Sequence, residues 1–256
     1  MNNIIFLFSG QARTSPFNTN IEMRSMDILK SYNDFIFTDE FKRSYNYKIY
    51  ISTDDINVND TINYFGEENI GNIHLLNNEF YLKPIENKVD NVNNFLDIYN
   101  KKDWSNHYKQ DNSIYQHHKI HDCYNLFKED NIKNYNYIIR IRLDTVIYKN
   151  IINLLDLFNI NPKLQIVIHW DFCAIGKPEI MNCYCSGIIN NYGNYNYKTY
   201  VQENVSFFPD YHTINRWQWT YAPERQLFEM LFEYLNNNNL NIDDAIIGDC
   251  FTHTIR

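Results

Sequence analysis

The densest apolar run of the chain, Tyr137–Asn150, is interrupted by charge. Tyr137, Ile138, Ile139, Ile141, Leu143, Val146, Ile147 and Tyr148 form a β-branched and aromatic stretch of strand length, the pattern of a strand buried on both faces. Arg140, Arg142 and Asp144 alternate within it, which on an extended chain puts all three on one face. A lone ion in a dry layer is strongly disfavoured. Charges here therefore mark a site, or else Arg142 and Asp144 make a structural ion pair at the strand's end.

The flanking pattern predicts further elements. Ile4–Phe8 reads as a first strand and Ser9–Arg13 as the loop leaving its carboxyl end. Asn20–Tyr32 fits a helix with Ile21, Met23, Met26, Ile28 and Leu29 as its apolar positions. Tyr47–Ser52 alternates as a second strand, and Thr61–Leu82 holds a short helix followed by the strand Asn72–Leu76. Residues 84–112 are polar and poorly periodic, a long connection of the kind that tends to be functional or mobile. Ser113–Glu129 is the clearest helix, with Gln116, Ile120, Cys123 and Phe127 on one stripe and Tyr124 beside it. A turn of helix follows over Asn150–Leu157. Leu164–Trp170 is another buried strand, delivering Asp171 at its end. Ala222–Leu235 is a helix with Pro223 in its first turn, where a missing N–H is harmless, and with Leu227, Met230, Leu231 and Leu235 as its stripe.

A length of 256 residues suits one α/β domain, taken as 1–256. No stretch of 18 apolar residues occurs, so no membrane span is expected. The start Met1–Phe8 lacks a basic flank and a cleavage site, and reads as a core strand rather than a leader. A net charge of −8 argues against bulk nucleic-acid binding, which needs a basic face, but leaves room for a nucleotide pocket with a few local cations. Five cysteines suit no disulfide framework, and Cys183-x-Cys185 is too close for ordinary zinc spacing. Reduced thiols and a cytoplasmic setting are the expectation.

Candidate chemistry collects at the expected carboxyl ends of strands, where open α/β sheets bind ligands. Gly10 permits close backbone approach, and Arg13 offers a planar fork to a phosphate. Asp54 is placed to accept hydrogen bonds from a ribose or base, and Asp55 to cap the next helix. His117 and His121 stand one turn apart but lack a further ligand for zinc, which favours a half-exposed helix face. Asp171 is a second carboxylate at a strand end, or the cap of a helix beginning near Lys177–Pro178. Glu224 opens the late helix, where the dipole favours its charge. Residues 183–212 offer aromatic surface suited to sugars, and Arg216–Tyr221 reads as either a strand or a sugar-lining loop.

The segment Arg142-Leu-Asp-Thr-Val-Ile-Tyr-Lys-Asn150 resembles the D-x-D motif of GT-A fold nucleotide-sugar glycosyltransferases, with Arg142 in place of the first Asp. It also resembles the R-x-R-x-D variant of small glycosyltransferase-like proteins. The opening strand followed by Gly10-Gln11-x-Arg13, the block 171–181 and the segment 222–227 look like parts of the same proteins. The resemblance implies a GT-A type α/β fold, a mostly parallel Rossmann-like sheet flanked by helices. It implies transfer of a sugar from a nucleoside-diphosphate sugar, UDP favoured and GDP possible, to a hydroxyl of a glycan acceptor. Gly10, Gln11, Arg13, Asp54, Arg142 and Asp144 would contact the donor. Asp144 would hold Mn²⁺ or Mg²⁺, or a sugar hydroxyl if no metal binds, with His253 as a late metal or phosphate ligand, and Asp171 or Glu224 would serve as general base. The alternative is a catalytically degenerate relative that binds nucleotide or glycan. A nucleotidyltransferase would bring a longer, Gly-rich loop near its start than Ser9–Arg13 provides.

Overall fold

The computed structural model describes residues 2–77, 110–169, 172–190, 223–248 and 251–254; side chains at 110–115, 188, 223–226, 229 and 253–254 fall outside the description. The strands are β1 Asn2–Gly10, β2 Tyr45–Thr53, β3 Ile70–Leu75, β4 Tyr137–Ile141, β5 Thr145–Ile147, β6 Ile166–His169, β7 Cys173–Gly176, β8 Ile246–Gly248 and β9 Thr252–Thr254. The helices are α1 Met26–Phe35, α2 Asp39–Ser44, α3 Val58–Phe65, α4 Gln110–Glu129, α5 Ile151–Ile160, α6 Pro178–Asn190, α7 Pro223–Asn237 and α8 Ile242–Ala245. Seven strands form one sheet in the order β3-β2-β1-β4-β7-β6-β8, and β5 pairs with β9 in a second, two-stranded sheet. Within the large sheet only β7 runs antiparallel to its neighbours. This is the expected α/β, mostly parallel, Rossmann-like architecture flanked by helices.

Alternation along the central strands builds two cores. Ile4, Phe6 and Phe8 of β1, with Ile139 and Ile141 of β4, face α1, α2, α3 and α5. Ile5, Leu7 and Ile138 face α4, α6 and α7 on the other side. The first core is aromatic: Phe6 meets Phe37 at 5.2 Å between ring centroids, and Phe8 meets Phe65 at 5.4 Å. Full burial of each such ring is worth about 1.5–3 kcal/mol. Side chains also mark the helix starts, because the first N–H groups of a helix lack partners. Thr38 accepts from the Phe41 N–H, Asn57 from Asp60 and Asn150 from Ile152.

Several expectations need correction. The run Tyr137–Asn150 is not one strand: it breaks at Arg142–Asp144 into β4 and β5, so the alternation of its three charges ends at Ile141. The break is held from both sides, since the Arg142 N–H donates to the Phe172 carbonyl and the Tyr32 hydroxyl to the Arg142 carbonyl. The helix over Asn20–Tyr32 is a 3₁₀ turn at Ile21–Met23 followed by α1. Ile21, Met23 and Met26 are exposed, and α1 instead buries Ile28 and Tyr32. Cys173–Gly176 forms β7, a hairpin strand inserted between β4 and β6. Asp55 does not cap α3; Asn57 does, while Asp55 takes φ +48° in the turn before it. The four described cysteines are free, and three of them are buried. The long connection up to residue 109, the segment 191–222 and Asp171 lie outside the described residues.

Candidate functional site

The sheet order reverses at β1: the chain moves outward through β2 and β3, then returns to place β4 on β1's other edge. Such a switch point opens a crevice at the carboxyl ends of the strands. Gly10, Asp54 and Arg142 all emerge there, at the ends of β1, β2 and β4.

The loop after β1 is anchored to β2. Ala12 N–H donates to Asp54 Oδ1 at 3.1 Å, the Thr53 hydroxyl donates to the Gly10 carbonyl at 2.7 Å, and Asn18 Nδ2 donates to the Ala12 carbonyl at 2.6 Å. Gly10 is buried with φ +127°, a conformation L side chains rarely adopt, and the Arg142 side chain runs past its Cα. Gln11 is half-buried and Arg13 exposed on this loop.

Lys119 comes into the same place from α4. It is 3% exposed and donates to Asp54 Oδ2 at 3.1 Å. Burial pushes its pKa down, Asp54 pulls it back up, and the positive charges of Arg142 and Arg13 lower it further. Three cations therefore share one corner. The sequence signal for Lys119 was a lysine next to Ile120 of the buried stripe.

Arg142 engages Asp144 with both arms of its fork, Nε to Oδ1 at 2.9 Å and Nη2 to Oδ2 at 2.7 Å. Its guanidinium also lies 5.3 Å from the Phe172 ring centroid. The ion pair between Arg142 and Asp144 is thus formed, at the carboxyl end of β4 beside Gly10. It leaves both Asp144 oxygens accepting from the one guanidinium. Hard divalent ions take several oxygen ligands, carboxylates above all, and no group of three or more His, Cys, Asp or Glu able to hold a metal occurs among the described residues. The described donors thus do not fit the Mn²⁺ or Mg²⁺ that the resemblance implies. His253 sits on β9 opposite Val146, two residues beyond Asp144, and its side chain is outside the description, as is that of Glu224 in the first turn of α7.

Arg140 departs from the other two charges of its run. It projects from β4 into the layer beneath α4 and is fully buried. Its Nε donates to the Ser9 hydroxyl at 3.1 Å and its Nη2 to the Ser9 carbonyl at 3.4 Å, while Nη1 has no partner. His117 Nε2 on α4 is likewise buried without a partner. Burial, and then the charge of Arg140, push the His117 pKa down to about 3, so the ring is neutral at ordinary pH. Each orphaned polar atom of this kind costs about 1–3 kcal/mol. His117 was expected on a half-exposed face; it lies inside because α4 covers the polar carboxyl end of the sheet.

No family model matches this sequence, and no curated protein matches it. Among solved structures it is similar to a cytidylyltransferase from Leptospira borgpetersenii serovar Hardjo-bovis (strain JB197), at 13% identity and a TM-score of 0.35, over 93% of this chain and 94% of that one.

Proposed function

We propose that the protein is a nucleotide-sugar glycosyltransferase of the GT-A type. The observation that carries this reading is the gathering of Arg13, Lys119 and Arg142 at the switch point between β1 and β4. Cleaving a sugar from a nucleoside diphosphate builds negative charge on the leaving group, and preorganised cations in a partly dry site offset it. Lys119 and Arg142 would meet the diphosphate, with Arg13 closing over it from the loop. Asp144 would then aim the Arg142 fork. Asp54 would keep Lys119 charged and pin the loop through Ala12. The exposed edge of this corner would admit a glycan hydroxyl, with Asp171 or Glu224 as the general base.

The test is release of free nucleotide from UDP- and GDP-sugars, with and without an acceptor glycan, in Mn²⁺ and in EDTA. Release that is lost in Lys119→Met and survives EDTA supports a cation-assisted transferase. Release that requires Mn²⁺ would restore the metal role of Asp144 and His253. No binding of any nucleotide sugar would sink the reading. One observation favours a second reading, a relative that binds nucleotide without turnover: both oxygens of Asp144 are engaged by Arg142. Tight UDP binding without release would establish it.

A further inference from the structure

Arg140 and His117 make a second polar locus, apart from the cations of the proposed diphosphate corner. Arg142 and Arg13 act on Lys119, whereas it is Arg140 that acts on His117. A fully buried guanidinium ordinarily has a carboxylate beside it. Arg140 has none among the described residues: two of its nitrogens are tied to Ser9, and the third faces no acceptor. The strand neighbours of Arg140 are Leu7 and Ala174, and Cys123, Cys173 and Cys185 lie around its charge. All three thiols are held protonated by burial, so none supplies a counter-charge.

We infer that Arg140, held by Ser9 and flanked by His117, receives a single carboxylate of the substrate, so that the sugar handled at this site is an acidic one. The inference rests on the glycosyltransferase reading. The class follows from charge matching and from the two buried donors left without partners. The locus offers one full positive charge, because His117 is neutral, and so balances one negative charge; a diphosphate calls for several cations, as at the neighbouring corner. Arg140 Nη1 and His117 Nε2, the latter as the N–H tautomer, provide two donors for the two oxygens of a carboxylate. Ser9 directly precedes Gly10, so the guanidinium is fixed by the same strand end that borders the proposed donor site.

The experiment measures equilibrium binding of the full chain to UDP-glucuronate, UDP-galacturonate, UDP-glucose and free glucuronate, in wild type and in Arg140→Met. Met keeps the length of the side chain and suits the apolar surround, and thermal melting checks that the variant folds. The expected result is that at least one acidic UDP-sugar binds about tenfold tighter than UDP-glucose. That preference disappears in Arg140→Met while UDP-glucose binding is unchanged. Should Arg140→Met fail to fold, Arg140→Lys, which keeps the charge but not the fork, and His117→Leu are each expected to reduce the preference. Equal binding of acidic and neutral UDP-sugars by the wild type overturns the inference and leaves the transferase reading standing; a buried water on Arg140 would give this outcome. Binding of free glucuronate that depends on Arg140, with no affinity for any UDP compound, would instead overturn the nucleotide reading and keep the carboxylate site.

Discussion

Arg142 and Asp144 are two residues apart and joined by a two-point fork, at 2.9 and 2.7 Å, in the turn between β4 and β5. The contact closes the break in the central run, beneath the Tyr32 hydroxyl and against Phe172. Removing one partner leaves a partly buried charge unmatched, and this costs more than the pair's net worth. Asp144→Ala is expected to destabilise the protein by about 2 kcal/mol, below the fully buried range because the Arg142 side chain is 15% exposed. For a chain of this size that is a fall of about 4–8 °C in Tm. Arg142→Met combined with Asp144→Leu should recover most of the loss. If the double variant melts as low as the single one, the pair is not what holds the turn.

Lys119 provides a proton-linked signature of anion binding. Its folded pKa lies below the ordinary 10.5, chiefly through burial. Between the two values the unfolded chain binds more protons than the folded one, so this group makes stability rise with pH across that alkaline window. A bound diphosphate would raise the lysine's pKa again. UDP binding in that window should then take up protons, detectable by calorimetry in buffers of different protonation enthalpy. Lys119→Met should abolish the uptake and weaken UDP about tenfold, or about 1.4 kcal/mol.

His117 should govern acid sensitivity. Its pKa falls from 6.5 to about 3 on folding. Below 6.5 the unfolded chain takes a proton that the folded chain refuses, so stability is lost as pH falls toward 3. The arithmetic gives about 2 kcal/mol between pH 7 and pH 5. Denaturant titrations at the two pH values should show that slope flattened in His117→Leu. An unchanged slope would place the acid sensitivity elsewhere.

Gly10→Ala tests backbone conformation apart from space. A Cβ at Gly10 would approach Arg142 Cγ no closer than 3.5 Å, an ordinary contact, but φ +127° is hostile to any L side chain. The expected cost is about 1–3 kcal/mol. Because the Gly10 carbonyl accepts from Thr53, relaxation should also disturb the loop that carries Arg13. Nucleotide affinity should fall together with Tm; a fall in Tm alone would detach this loop from binding.

The order of strands and helices was legible because burial on both faces writes itself into local pattern. Ile4, Phe6 and Phe8 against Ile5 and Leu7, or Leu227, Met230, Leu231 and Leu235, need no partner to be recognised. That charged side chains gather at the ends of β1, β2 and β4 was legible too, since charge inside an apolar run conflicts with its surroundings. Tertiary structure decided what each charge does. Arg140 and Arg142 share a strand pattern, yet one donates to Ser9 under α4 and the other clasps Asp144 in a turn. Cys173–Gly176 became a strand only because β4 and β6 leave an antiparallel place between them. Lys119 and Asp54 lie 65 residues apart, and Arg140 and Ser9 lie 131 apart. Periodicity reports how one segment meets solvent and core, whereas pairing between distant polar groups depends on which strand ends the sheet order brings side by side.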